Sequence, residues 1–369
     1  MNALAALVWL AAPANVTAVT PARPAAALDA SRPRVEVAFV LDTTGSMGGL
    51  IEGAKRRIWS IARRIGDGRP RPDLRIALVA YRDLGDAYVT RVFDLTGDMD
   101  QVYQNLMSFQ ASGGGDAPEH VSAALSDAVH KVSWSRRAGM QVIFLVGDAA
   151  PHMDYQDGYD YHRHVAEARQ RGIAVEAVQC GGDPETARVW TEIASLGAGH
   201  YARIDAQGGM PSMVTPVDAE LARLNAELAS TVVAAGTVEE QKATGRRLDA
   251  RAAMPAAVAA EAASYYAKAE RLADKDLVGM APAAQRSELE KLRARPAELP
   301  KPLQSKSDSE ALAYLQAQNE KRQQLQGRIA KLQQERDAYA AKAQPAKDGF
   351  DEQVVQSLRD RAAKAGIEY

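Results

Sequence analysis

Between residues 34 and 204 the chain alternates between two hydrophobic periods. Dense runs of Val, Ile, Leu and Ala occur at 35–41, 74–81 and 140–146. Runs of that length read as strands, the last buried on both faces. Apolar residues recur every three or four positions at 50–65, 99–109, 118–132, 161–171 and 185–196. These are helical periods. Further strands are predicted at 88–95, 173–179 and 200–204. The 82–87 connection is too short for a crossover helix, so the 88–95 strand is predicted antiparallel to its predecessor. Gly66, Gly68, Pro70 and Pro72 end the first helix. Strands alternating with helices predict an α/β fold, with a doubly wound, mainly parallel sheet covered on both faces.

After Pro211 the pattern changes to Ala, Glu, Lys, Arg, Gln and Leu, and β-branched runs nearly vanish. The 213–233 segment reads as a helix that either docks back on the sheet or bridges outward. Pro255 interrupts the helical stretch, and Pro296, Pro300 and Pro302 mark a linker near 294–308. The longest helical pattern is 309–342, with Leu325, Ile329, Leu332 and Tyr339 at three- and four-residue spacing. Gln318, Arg322 and Arg336 share that seam, which suits a solvated helix with one narrow stripe better than a strong coiled coil. The expected organisation is 1–31 as leader and linker, 32–214 as the α/β domain and 215–369 as a helical, partly coiled-coil region that could self-associate.

Composition narrows the function classes. The chain has 46% hydrophobic and 25% charged residues, ordinary for a globular protein. A formal net charge of -2 gives no basic stripe for nucleic acid. A single cysteine, Cys180, excludes an internal disulfide framework and a Cys-based zinc site, and reads as a small core residue. Residues 3–12 are apolar and run into a Pro/Ala/Thr stretch. That resembles a secretory signal peptide, although no Lys or Arg precedes the apolar run. The expectation is export to a periplasmic or extracellular location, with an uncleaved membrane anchor as the alternative. The Ala/Arg-rich composition and this start suggest a bacterial source.

The candidate chemistry sits where strands end. Asp42-Thr43-Thr44-Gly45-Ser46 follows the 35–41 strand, placing a carboxylate and two hydroxyls at two-residue steps on one loop. Open α/β sheets bind ligands at the carboxyl edge of their strands. An all-oxygen trio suits a hard divalent cation. Two more oxygen clusters belong to the same edge. Gly113-Gly114-Gly115-Asp116-Ala117-Pro118-Glu119 is a flexible loop, read as opening a helix near Pro118. Asp148 directly follows the 140–146 strand. Each piece has a plainer reading as a helix cap or dipole partner. Arg82 and Asp83, just past a strand end, could be supporting partners or an ion pair. His152, His162 and His164, with Asp154 and Asp157, could suggest a transition-metal site. His162 and His164 would point in different directions on a helix, so packing is the preferred reading.

These residues resemble a von Willebrand factor type A domain carrying a metal-ion-dependent adhesion site. Asp42, Thr44 and Ser46 match its Asp-x-Ser-x-Ser motif with Thr for the first Ser, and Asp148 matches its distant Asp. The usual Thr of the middle loop is missing. Asp116-x-Pro118-Glu119 is instead similar to the integrin β-subunit version, which implies Glu119 as a ligand and Asp116 as a resident of a neighbouring cation site. Gly48 and Gly49 stand where a third site's acidic residues would lie, so no third site is expected. The segments Tyr81-Arg82-Asp83, GGGDAPE and GDAAPH are also similar to the type A domains that accompany α-kinases and their bacterial relatives. The resemblance implies Mg²⁺ or Mn²⁺, with Ca²⁺ as an alternative, held by Asp42, Thr44, Ser46, Glu119 and Asp148, with Asp116 and Asp83 in support. It implies a binding module, not an enzyme, whose partner protein presents an Asp or Glu to the metal. Two alternatives remain: an envelope scaffold oligomerising through its C-terminal helices, and a metal-dependent hydrolase.

Overall fold

The sheet runs β3-β2-β1-β4-β5-β6. Its strands are β1 Arg34–Asp42, β2 Asp73–Tyr81, β3 Thr90–Thr96, β4 Met140–Gly147, β5 Ala174–Cys180 and β6 Tyr201–Ile204. All neighbours are parallel except β2 and β3, as the short connection requires. The structure is a computed structural model, and it describes residues 32–115, 118–136, 138–206, 214–342 and 350–369. The strand order reverses between β1 and β4, so a crevice opens at their carboxyl ends. Asp42 is the last residue of β1, and Asp148 directly follows β4.

Successive β1 side chains face opposite layers. Val35, Val37, Phe39 and Leu41 join one core with α1 (Gly48–Gly66) and α2 (Met99–Met107). Ala38 and Val40 join a second core with α3 (Val121–His130), α4 (Tyr161–Gln170) and α5 (Pro184–Leu196). α3 starts later than the helical period predicts. Pro118 and Glu119 stay in a loop because Glu119 N donates to Ala150 O at 3.0 Å and His152 N donates to Glu119 O at 3.1 Å. That bridge ties the glycine loop to the β4 exit. His120 instead caps α3 through its ring nitrogen. Tyr88, expected in a strand, lies before β3, with its ring under Arg82 and Arg91 at 4.4 and 4.6 Å.

The C-terminal helices are α6 (Asp218–Ala229), α7 (Val238–Ala252), α8 (Ala256–Tyr266), α9 (Pro282–Arg293), α10 (Lys301–Gln304), α11 (Asp308–Lys342) and α12 (Phe350–Ala362). They pack on the α1 side, and Ser31–Tyr369 is one compact unit. α6 docks back: its Leu221, Leu224 and Leu228 join the first core. Trp59 of α1 lies 5.4 Å from the Tyr266 ring of α8 and 6.0 Å from Tyr103 of α2. Leu325 and Ile329 of α11 belong to the same core. The charged residues on that seam are also buried. Arg322 donates to Asp276 at 2.7 Å, and Arg336 donates to Asp218 at 2.9 Å. The proline-rich stretch is packed as well, with Leu299 and Leu303 buried in a third small core. α12 and the tail cover the amino edge of the sheet. Arg361 donates to Glu176 at 2.8 Å, and the Arg69 and Glu368 backbones exchange bonds of 2.8 and 2.9 Å.

Candidate metal centre

Asp42 is fully buried at the switch point. Its Oδ1 accepts from Thr44 N at 2.8 Å and from Thr44 Oγ1 at 2.6 Å. The Thr44 hydroxyl spends its proton on this carboxylate, so its lone pairs stay open to a cation. Ser46 Oγ stands 3.4 Å from Thr44 Oγ1, and Ser46 is exposed at the mouth. The glycine loop is stitched to this turn by Ser112 N donating to Thr43 O at 3.1 Å and Gly45 N donating to Gly113 O at 3.2 Å. Gly114, at φ +74°, sits against Thr44 and Glu119. A β-carbon there would lie 2.9 Å from Thr44 Cβ and 3.0 Å from Glu119 Oε1. Gly147 is equally constrained, since its β-carbon would fall 2.4 Å from Tyr81 Oη and 3.1 Å from Asp42 Oδ2.

Two oxygens define the chemistry. Asp42 Oδ2 and Glu119 Oε2 are buried and have no hydrogen-bond partner among the described residues. Buried carboxylate oxygens without partners are costly. Burial raises the Asp42 carboxyl to about 7, opposed by the Thr44 hydrogen bonds and assisted by Asp148. Burial also raises Glu119 to about 8, with Asp42, Asp83, Asp86 and Asp148 adding repulsion. Both carboxyls therefore resist ionisation chiefly through burial, with neighbouring carboxylates adding to it and Arg82 opposing it at Asp42. A bound divalent cation would invert that balance. The donor set of carboxylates and hydroxyls fits a hard cation, and the two orphaned oxygens are its natural anchors. Asp148 borders the site, and its backbone carbonyl accepts from Thr186 Oγ1 at 3.3 Å.

Several neighbours were less legible in the sequence. Asp83 makes no ion pair with Arg82. Its Oδ2 accepts from Tyr155 Oη at 2.7 Å and lies 3.5 Å from His152 Nε2, while Oδ1 is buried and unpartnered among the described residues. Arg82 turns to backbone, donating to Thr43 O at 3.2 Å and Gln110 O at 2.8 Å. Asp86, with no motif to announce it, accepts from Gly114 N at 3.1 Å and holds the glycine loop. His120 pairs with Asp157 at 2.8 Å. Asp116 lies outside the described residues, as does the 1–31 leader. Among the described residues no helix is long and apolar enough to cross a membrane.

Residues 36–200 match the von Willebrand factor A domain. The von Willebrand factor A domain-containing protein 7 of Rattus norvegicus is 37% identical over 146 residues, covering 39% of this chain and 14% of that protein. The Homo sapiens protein of the same name is 34% identical over 119 residues, covering 32% of this chain and 12% of that protein. The match thus spans about one seventh of these relatives' length or less. Among solved structures, proximal thread matrix protein 1 from the mussel byssus aligns with a TM-score of 0.38 at 14% identity, over 48% of this chain and 44% of that one.

Proposed function

Because residues 36–200 are a von Willebrand factor A domain, we propose that this chain is a protein-binding module whose binding depends on a divalent cation. The observation that carries the reading is the pair of buried oxygens without hydrogen-bond partners among the described residues, Asp42 Oδ2 at the end of β1 and Glu119 Oε2 in the loop before α3. Asp42, Thr44, Ser46 and Glu119 would hold Mg²⁺ or Mn²⁺, with Asp148 completing the set directly or through water. The cation would supply a Lewis-acidic position for a partner's Asp or Glu carboxylate. The chain's own residues do the rest. Thr44 orients Asp42, the Asp86–Gly114 bond holds the glycine loop, and the Glu119–Pro151 bridge fixes Glu119 beside the β4 exit. Exposed Ser46 marks the mouth through which a partner would reach.

We read the site as binding rather than catalytic, since among the described residues no nucleophile–base pair accompanies the motif. A charge-bearing contact at the centre of an interface gives specificity and on-rate. Export to the cell envelope is part of the same proposal, and the amino-terminal sequence of the secreted protein tests it. The deciding experiment is calorimetric titration of Mg²⁺ and Mn²⁺ into the metal-stripped chain, with Asp42→Ala alongside. One-to-one binding lost in the variant supports the site. Absence of binding by the parent overturns it and leaves the three loops as caps.

A further inference from the structure

A second group of metal-ligating side chains lies between α3 and α4. His130 closes α3, while His164 and Glu167 share one face of α4. One ligand atom from each lies within 4.8 Å of the others. His130 Nε2 is 3.0 Å from Glu167 Oε2, and His164 Nδ1 is 3.4 Å from that same oxygen. In a tetrahedral zinc site with bonds of about 2.0–2.2 Å, neighbouring ligand atoms stand roughly 3.3–3.6 Å apart. The 3.4 Å contact falls within that edge length, and the 3.0 Å contact is about 0.3 Å short of it.

We propose that His130, His164 and Glu167 form a transition-metal site of the zinc class, distinct from the oxygen site. His130 Nδ1 lies 2.8 Å from Ser126 O. Donation to that carbonyl would put the ring proton on Nδ1 and leave the Nε2 lone pair facing Glu167. Metal-binding histidines are commonly oriented this way. Arg163 stands 3.8 Å from Glu167 Oε1, on the side away from the histidines' shared oxygen Oε2. His164 is 1% exposed, yet Nε2 has no hydrogen-bond partner among the described residues. The carboxyl end of α3 carries the negative pole of its dipole, which favours a cation there. Nitrogen ligands select zinc-class ions, whereas the carboxylate and hydroxyl set around Asp42 selects Mg²⁺ or Mn²⁺. α3 runs from the oxygen site at His120 to His130, about 15 Å away at 1.5 Å per residue.

The test is a Zn²⁺ titration of the metal-stripped full chain in excess Mg²⁺, with Co²⁺ as a spectroscopic probe. The expected result is one equivalent of tightly bound Zn²⁺ that bleaches the visible absorption of bound Co²⁺. His130→Ala, at a half-exposed last turn, should weaken Zn²⁺ binding by about 100-fold or more with unchanged circular dichroism, and Glu167→Gln should follow it. Asp42→Ala should leave Zn²⁺ binding intact, which separates this site from the oxygen centre. No Zn²⁺ binding, binding indifferent to His130→Ala, or binding lost in Asp42→Ala would each overturn the proposal.

Discussion

At Asp42, one carboxylate oxygen receives two hydrogen bonds and the other none, although both are buried. This asymmetry makes a pH prediction for the metal-free protein. The folded pKa values of Asp42 and Glu119, about 7 and about 8, lie above those of the unfolded chain. Between those limits the folded state binds more protons than the unfolded state, so stability falls as pH rises. The stabilising contribution is complete below about pH 4 and lost as pH climbs through 7 to 8. In EDTA, Tm should therefore decline over that window, and Asp42→Asn should flatten the slope. A rising Tm in EDTA across the same window would count against the burial argument. Glu119→Thr makes a second residue-scale prediction. It removes one of three carboxylates facing +2, so the variant should bind Mg²⁺ more weakly by calorimetry while leaving the cation more electrophilic toward a partner carboxylate. His130 shows the limit of reading residues singly. Nothing in its own surroundings in the sequence points to His164, because the two meet only where α3 packs on α4.

Elements bring these residues to one place through close backbone approach. Gly147 ends β4 with no room for a side chain between Tyr81 and Asp42. Gly147→Ala should cost about 1–3 kcal/mol by overpacking and lower cation affinity. Tyr81→Phe in the same background should recover part of both losses, because it removes the Oη that the new methyl meets. Denaturant unfolding of the single and double variants checks the coupling. Strand and helix periods were legible element by element, including the antiparallel β3. The start of α3 was not. Pro118 is acceptable in a first helical turn, but a backbone bond from Glu119 to Ala150, in the loop after β4, holds the segment extended. Local propensity yields there to a long-range hydrogen bond.

In the whole molecule, the C-terminal helices are packed on the α1 face through buried charge as well as apolar contact. Arg251 of α7 is 0% exposed, bonds Asp100 of α2 and stacks 3.6 Å from the Tyr266 ring. Removing one partner strands the other's charge, so Arg251→Ala should destabilise the chain by about 3–5 kcal/mol. Arg251→Met, which keeps volume but not charge, should also lose stability while Asp100 remains ionised. Urea unfolding should show one transition for the α/β layers and the helices together, since they share a core. By itself, the sequence determined the α/β class, the strand ends that carry Asp42 and Asp148, and the oxygen chemistry of the first loop. Those follow from hydrophobic period and local spacing, which are properties of neighbouring residues. Only the tertiary structure decided that Arg322 and Arg336 are buried ion-pair partners rather than solvated seam residues. It alone decided that Asp86 holds the glycine loop and that His130 meets His164. Each of these is a contact between distant segments, and such contacts exist only once the layers have packed.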